Sequence, residues 1–158
     1  MPKLRIENFK CYKKEELLFG DLTVLVGANG AGKSSVIQSL LLLHEAVQAP
    51  KEHRRLPLNG FRSQNLGSAS DIVFNNDISL DIKLSWVVDK PLKSSRVTLR
   101  SPDSDVIFNI DKIKCSIGEN ELTKAEFHFI SADRIGSSIA QPMHSSGNLN
   151  VGDKGEYC

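Results

Sequence analysis

Several broad classes are excluded by what the chain lacks. Its 158 residues include only three cysteines, and Cys11, Cys115 and Cys158 lie far apart with no C-x-x-C or Cys/His ligand spacing. That arrangement argues against a disulfide framework and against a zinc site, so all three read as reduced thiols. No apolar run approaches the ~20 residues that a membrane span needs. The first residues, Met1-Pro2-Lys3-Leu4-Arg5-Ile6-Glu7, alternate apolar and charged side chains where a secretory signal would carry a continuous apolar core. No membrane is expected as a partner, and a cytoplasmic location follows as the default. Charge of one sign is also missing. Twenty Lys and Arg against 19 Asp and Glu leave a formal net charge of +1, which supplies no global attraction to nucleic acid or an anionic surface. His44 and His144 have no metal-spaced partners, and His128, alternating with Phe127 and Phe129, is expected to face away from their core.

With 40% hydrophobic and 25% charged residues, the composition is that of a soluble globular domain. Leu4 to Phe9 and Leu17 to Phe19 predict two short paired strands. Leu22-Thr23-Val24-Leu25-Val26 carries no charge and is rich in β-branched residues, as expected of a strand covered on both faces. Beyond it, Val36, Ile37, Leu40, Leu41, Leu43 and Val47 recur at helical spacing until Pro50 stops the pattern. Residues 51–77 lack periodicity and read as an irregular connection. From Ile78 the period becomes two: Ile78, Leu80, Ile82, Leu84 and Trp86, then Val97 and Leu99, Val106 to Ile110, Ile113 to Ile117 and Phe127 to Ile130 predict an antiparallel meander over 78–130. Residues 131–158 form a polar, Gly-rich tail.

The chemistry concentrates where the apolar strand meets the helix. Gly27-Ala28-Asn29-Gly30-Ala31-Gly32-Lys33-Ser34 matches G-x-x-x-x-G-K-S/T in full. Glycine permits backbone angles and close approaches that a Cβ would block, so that successive N–H groups can turn toward phosphate oxygens. The following helix adds unpaired N–H donors and a partial positive charge. Lys33 is expected to reach the β- and γ-phosphates, the Ser34 hydroxyl to coordinate Mg²⁺, and Ser35 to bond the α-phosphate side of the loop. ATP and Mg²⁺ are therefore the expected cofactors. A plain Gly-rich turn between strand and helix would have no need of the Lys-Ser pair.

The order of elements resembles the ABC-type ATPases of the SMC, RecF and OLD group: Ile6-Glu7-Asn8-Phe9-Lys10, a buried strand, the Gly-rich loop, then a Leu-rich helix. Phe129-Ile130-Ser131-Ala132-Asp133-Arg134 and Val151-Gly152-Asp153-Lys154-Gly155-Glu156-Tyr157 are similar to motifs of a bacterial AAA-type branch often found in anti-phage defence. The resemblance implies an α/β fold, the N-terminal lobe of a P-loop NTPase, with a mixed sheet around Leu22 to Val26 and an antiparallel β-meander sub-lobe. It implies that Lys10 contacts nucleotide, although a solvated lysine at a strand end fits equally. It also implies that two heads sandwich ATP as a homodimer, with DNA or an effector protein as a further partner.

The pattern departs from that group in two respects. No signature helix of the L-S-G-G-Q kind and no apolar strand ending in Asp-Glu occurs, and Asp71 follows no apolar run. Gln64 is a candidate for the Mg²⁺-side glutamine that closes the first lobe. The chain thus reads as part of a larger ATPase that binds nucleotide and hydrolyses it poorly alone. A non-hydrolysing ATP-binding module of a larger complex is the alternative. A P-loop kinase or GTPase is a third reading, disfavoured because no N-K-x-D guanine-reading motif is present. Lys51, His53, Arg54 and Arg55 form a positive cluster that suits either a phosphate contact or a solvated loop.

Overall fold

The computed structural model describes residues 1–49, 54–59, 66–89, 92–104, 107–115 and 127–130. The chain divides into two units, Met1–Lys124 and Ala125–Cys158. In the first, β1 (Lys3–Phe9), β2 (Tyr12–Leu18), α1 (Lys33–Gln48), β3 (Arg55–Pro57), α2 (Ala69–Ile72), β4 (Ile82–Asp89), β5 (Leu92–Ser104) and β6 (Ile107–Cys115) follow in order. In the second, residues 127–130 lie outside helix and strand, where the alternation of Phe127 and Phe129 predicts a strand.

The six strands form one sheet in the order β2-β1-β4-β5-β6-β3. Every pairing is antiparallel. One face is apolar: Leu4, Ile6, Ile82, Leu84, Val97, Leu99, Phe108 and Ile110 are all buried. The other carries charges, including the Arg5–Glu16 and Lys83–Glu7 pairs at 2.6 and 2.8 Å. The helix α1 lies against β1, β4, β5 and β6. It buries Val36, Leu41, Leu42, Leu43 and Ala46; of the stripe read from the sequence, Val36, Leu41 and Leu43 face the core, Leu40 and Val47 are half-buried and Ile37 is exposed.

Two irregularities in the strands explain their sequence pattern. Asn8 takes a left-handed φ of 58°, which breaks the alternation and lets Phe9, out of phase with Leu4 and Ile6, turn fully inward. In β6, Val97 pairs with Ile113, Thr98 with Lys112 and Leu99 with Ile110. Asp111 is therefore an extra residue, and this bulge returns Ile113 to the core phase of Phe108 and Ile110. What the alternation suggests are two strands is one strand that changes phase. The start of β4 shifts as well. The Asp77 carboxylate accepts from the Ser79 N–H and hydroxyl at 3.1 and 2.6 Å, a local turn that holds Ile78 out of the ladder, 54% exposed.

The largest difference from expectation lies just before the Gly-rich loop. The sequence predicts a mixed sheet around Leu22 to Val26, yet among the described residues the sheet is wholly antiparallel and this stretch is not a strand. Leu22, Val24 and Val26 are 85%, 71% and 88% exposed. A strand persists only where its N–H and C=O groups find a neighbour, and none of the described strands pairs with this one. The meander joins the N-terminal hairpin in one sheet, since β1 pairs directly with β4.

Candidate functional site: a phosphate cradle at the start of α1

Gly30 and Gly32 both take left-handed φ values, 83° and 87°. An L-residue pays roughly 1–2 kcal/mol there. Gly32 is the N-cap of α1 and carries no side-chain cap bond, and the first turn holds no acid. Its carbonyl accepts the first helical bond from the Val36 N–H at 3.1 Å. The first amides of α1 are thus left without the usual Ser or Asp cap, at the positive end of the helix dipole. A Cβ on Gly30 would meet nothing within 4 Å, so the outer side of the loop is open.

Lys33 folds back over this loop. Its ammonium donates to the carbonyls of Gly27 and Ala28, each at 2.7 Å. The side chain therefore spans the loop from its helix end to its strand end. Gly27, Ala28, Asn29, Gly30 and Ala31 are exposed, Ser34 is exposed, and Gly32, Lys33 and Ser35 are half-buried. Lys33 and Ser34 also border an open groove with Phe19, Val24, Leu25 and Ile37.

The inner side of the loop is built by the turn between β1 and β2, which the sequence reading did not connect to it. The Tyr12 hydroxyl donates to the Gly32 carbonyl at 3.2 Å. A Cβ placed on Gly32 would fall 2.6 Å from the Tyr12 hydroxyl oxygen and 2.8 Å from the Cys11 sulfur. The loop is pressed against this turn closely enough that only glycine fits. Burial pushes the Tyr12 hydroxyl above its usual pKa, with the Cys11 thiol and the Glu15 carboxylate adding to the effect. The only sequence signal was an aromatic residue with a polar tip at the end of a hairpin.

Lys10 lies on the same turn with a φ of 48°. Its N–H donates to the Ile72 carbonyl at 2.8 Å, and its ammonium donates to the Gln38 side-chain oxygen on α1 at 2.7 Å. Here Lys10 joins the turn to α1. Burial lowers its pKa, opposed by the attraction of Asp71.

Asp71, which the sequence leaves without a role, closes a capping box on α2: its carboxylate accepts from the Ser68 N–H and hydroxyl, each at 2.7 Å. Arg54 and Arg55 are exposed at the start of β3. Gln64, Lys51, His53, Asp133, Arg134 and residues 151–157 lie outside the described residues. Among the described residues no group of three or more His, Cys, Asp or Glu could hold a metal ion, and no helix is long and apolar enough to cross a membrane.

Two comparisons bear on this geometry. A family model described as "AAA ATPase domain" matches residues 1–135. The chain is also similar to an OLD nuclease of Thermus scotoductus, with 26% identity over 118 residues that cover 70% of this chain and 20% of that protein. The chain thus spans about a fifth of the length of that curated relative.

Proposed function

The chain belongs to the AAA ATPase domain family, as an AAA/ABC-type P-loop ATPase of the OLD/RecF-like group, and we propose that it binds ATP with Mg²⁺ in the loop from Gly27 to Ser34. The observation that carries this reading is the reach of Lys33 across its own loop. The ammonium rests on the Gly27 and Ala28 carbonyls, and a polyphosphate entering the cradle would offer it anionic oxygens in their place, a stronger, charge-assisted partner. The uncapped amides at the start of α1 would take phosphate oxygens, as an anion at a helix N-terminus does. The Ser34 hydroxyl, exposed beside Lys33, fits a Mg²⁺ ligand shared with phosphate oxygens, and Ser35 fits a second contact to the loop-side phosphate.

When bound, Mg²⁺ neutralises developing charge on the phosphates. The residues of this chain would hold and orient the nucleotide. Phosphoryl transfer to water also needs a group to position the attacking water, and the sequence holds no apolar strand ending in Asp-Glu to supply it. We therefore assign hydrolysis to the whole protein, with Leu22 to Val26 acting as the strand ahead of the loop once neighbouring strands flank it. The whole protein would act as a homodimer of ATP-bound heads on DNA or an effector protein. The name of the Thermus relative, a nuclease, supports a DNA-linked role. The domain layout that goes with this reading is a partial ATPase head over 1–158, made of strands, Gly-rich loop and helix in 1–50, an irregular connection in 51–77, an antiparallel β sub-lobe in 78–130 and a tail in 131–158.

Titration of the protein with Mg·ATP tests the site. Lys33→Ala is expected to weaken binding by at least about tenfold, the loss of one charge-assisted contact of about 1.5–3 kcal/mol. Unchanged affinity rejects the assignment. The missing Asp-Glu strand also favours a second reading, a module that binds ATP without hydrolysing it. Turnover by the full-length protein that disappears with Lys33→Ala selects the enzyme, whereas intact binding without turnover by the full-length protein selects the module.

A further inference from the structure

The turn between β1 and β2 makes contacts that a plain hairpin does not need. Three consecutive residues reach three other elements: Lys10 holds Gln38 of α1 through its ammonium and Ile72 of α2 through its N–H, Cys11 borders Gly32, and Tyr12 donates to the Gly32 carbonyl. Phe9 pairs with Tyr12, and the φ of 48° at Lys10 is the positive value that a two-residue hairpin loop takes at its first position; what goes beyond the hairpin is the set of side-chain contacts.

These contacts converge on one backbone unit. The Gly32 carbonyl is shared between the Tyr12 hydroxyl and the Val36 N–H, at 3.2 and 3.1 Å. That peptide sets the direction of the amides that follow, at Lys33 and Ser34, because the backbone has only two soft torsions per residue. Resting on the phosphate-site reading above and deepening it, we propose that Tyr12 is a positioning residue of the cradle: its hydroxyl holds the Gly32 peptide in the left-handed twist that aims the first amides of α1 at the phosphates, and the Lys10–Gln38 bond clamps the helix to the same turn.

Tyr12 touches no phosphate in this scheme. It acts by pre-organisation, sparing the ligand the cost of ordering the loop on binding. Tyr12→Phe keeps the ring and removes only the donor. The expected result is a Mg·ATP affinity about 3- to 10-fold weaker, the scale of one hydrogen bond. Amide exchange should rise over residues 28–34 and stay unchanged over β4 and β5. A merely structural role would instead raise exchange across the sheet. Tyr12→Trp, which keeps a donor at the ring edge, serves as a second variant and is expected to recover part of the affinity. Wild-type affinity in Tyr12→Phe, with binding lost in Lys33→Ala, overturns the positioning role while the phosphate site stands. Unchanged affinity in Lys33→Ala overturns both.

Discussion

Lys10 and Gln38 are joined by a 2.7 Å hydrogen bond from the ammonium to the side-chain amide oxygen. The first hairpin and the helix after the Gly-rich loop are therefore fastened to each other close to the cradle. Burial holds the Lys10 pKa below its ordinary 10.5. In the window between the folded-state value and 10.5, the unfolded chain binds the extra proton, so stability rises as pH climbs through that window. Lys10→Met is expected to remove this rise. Thermal unfolding followed across the alkaline range checks it, and the slope should be shallow because Lys10 is half-exposed and screened by solvent.

Gly30 and Gly32 share a left-handed φ, at 83° and 87°, but differ in their surroundings. An alanine Cβ at Gly32 would meet the Tyr12 oxygen at 2.6 Å and the Cys11 sulfur at 2.8 Å, whereas at Gly30 it would meet nothing within 4 Å. Gly30→Ala is expected to cost about 1–2 kcal/mol of backbone strain alone. Gly32→Ala should cost more, as the turn must move aside. Denaturant unfolding of the two variants orders them, and equal losses would show that the contact with Tyr12 and Cys11 carries no energy.

The Ser68 N–H and hydroxyl hold the Asp71 carboxyl below its usual range. A depressed carboxylate contributes stability above its ordinary value of 3.8, and that contribution drains away as pH falls through the folded-state value. Asp71→Asn should lie below the parent in melting temperature at neutral pH, and the two curves should converge in acid. A gap that persists below both values would place its origin elsewhere.

Phe108 is fully buried in β6, opposite Leu56 of β3. Phe108→Ala is expected to cost about 3–5 kcal/mol, through lost burial and the cavity left behind. Arg5→Met breaks only the exposed 2.6 Å pair with Glu16 and should cost at most about 1 kcal/mol. Urea midpoints of the two variants, compared at equal slope, check the contrast.

Local pattern alone determined much of this protein. Helical spacing from Val36 to Val47 identified α1 and three residues of its buried face, Val36, Leu41 and Leu43, because apolar residues at a period near 3.6 gather on one side, while Ile37 stays exposed. Alternation in Ile82, Leu84 and Trp86 identified the inward face of β4, and the Gly-rich run from Gly27 to Ser34 marked the loop whose left-handed angles fall on Gly30 and Gly32. Only the tertiary structure decided the rest. Pairing partners are not written in a strand's own residues, so the chain did not reveal that β1 joins β4, or that Leu22 to Val26 finds no partner among the described strands. A bulge at Asp111 moves a whole strand out of phase, which two-residue periodicity reads as two strands. The grip of Lys10, Cys11 and Tyr12 on the cradle was equally hidden, because it arises where residues distant in sequence meet, and nothing in the spacing of Tyr12 and Gly32 encodes a hydrogen bond.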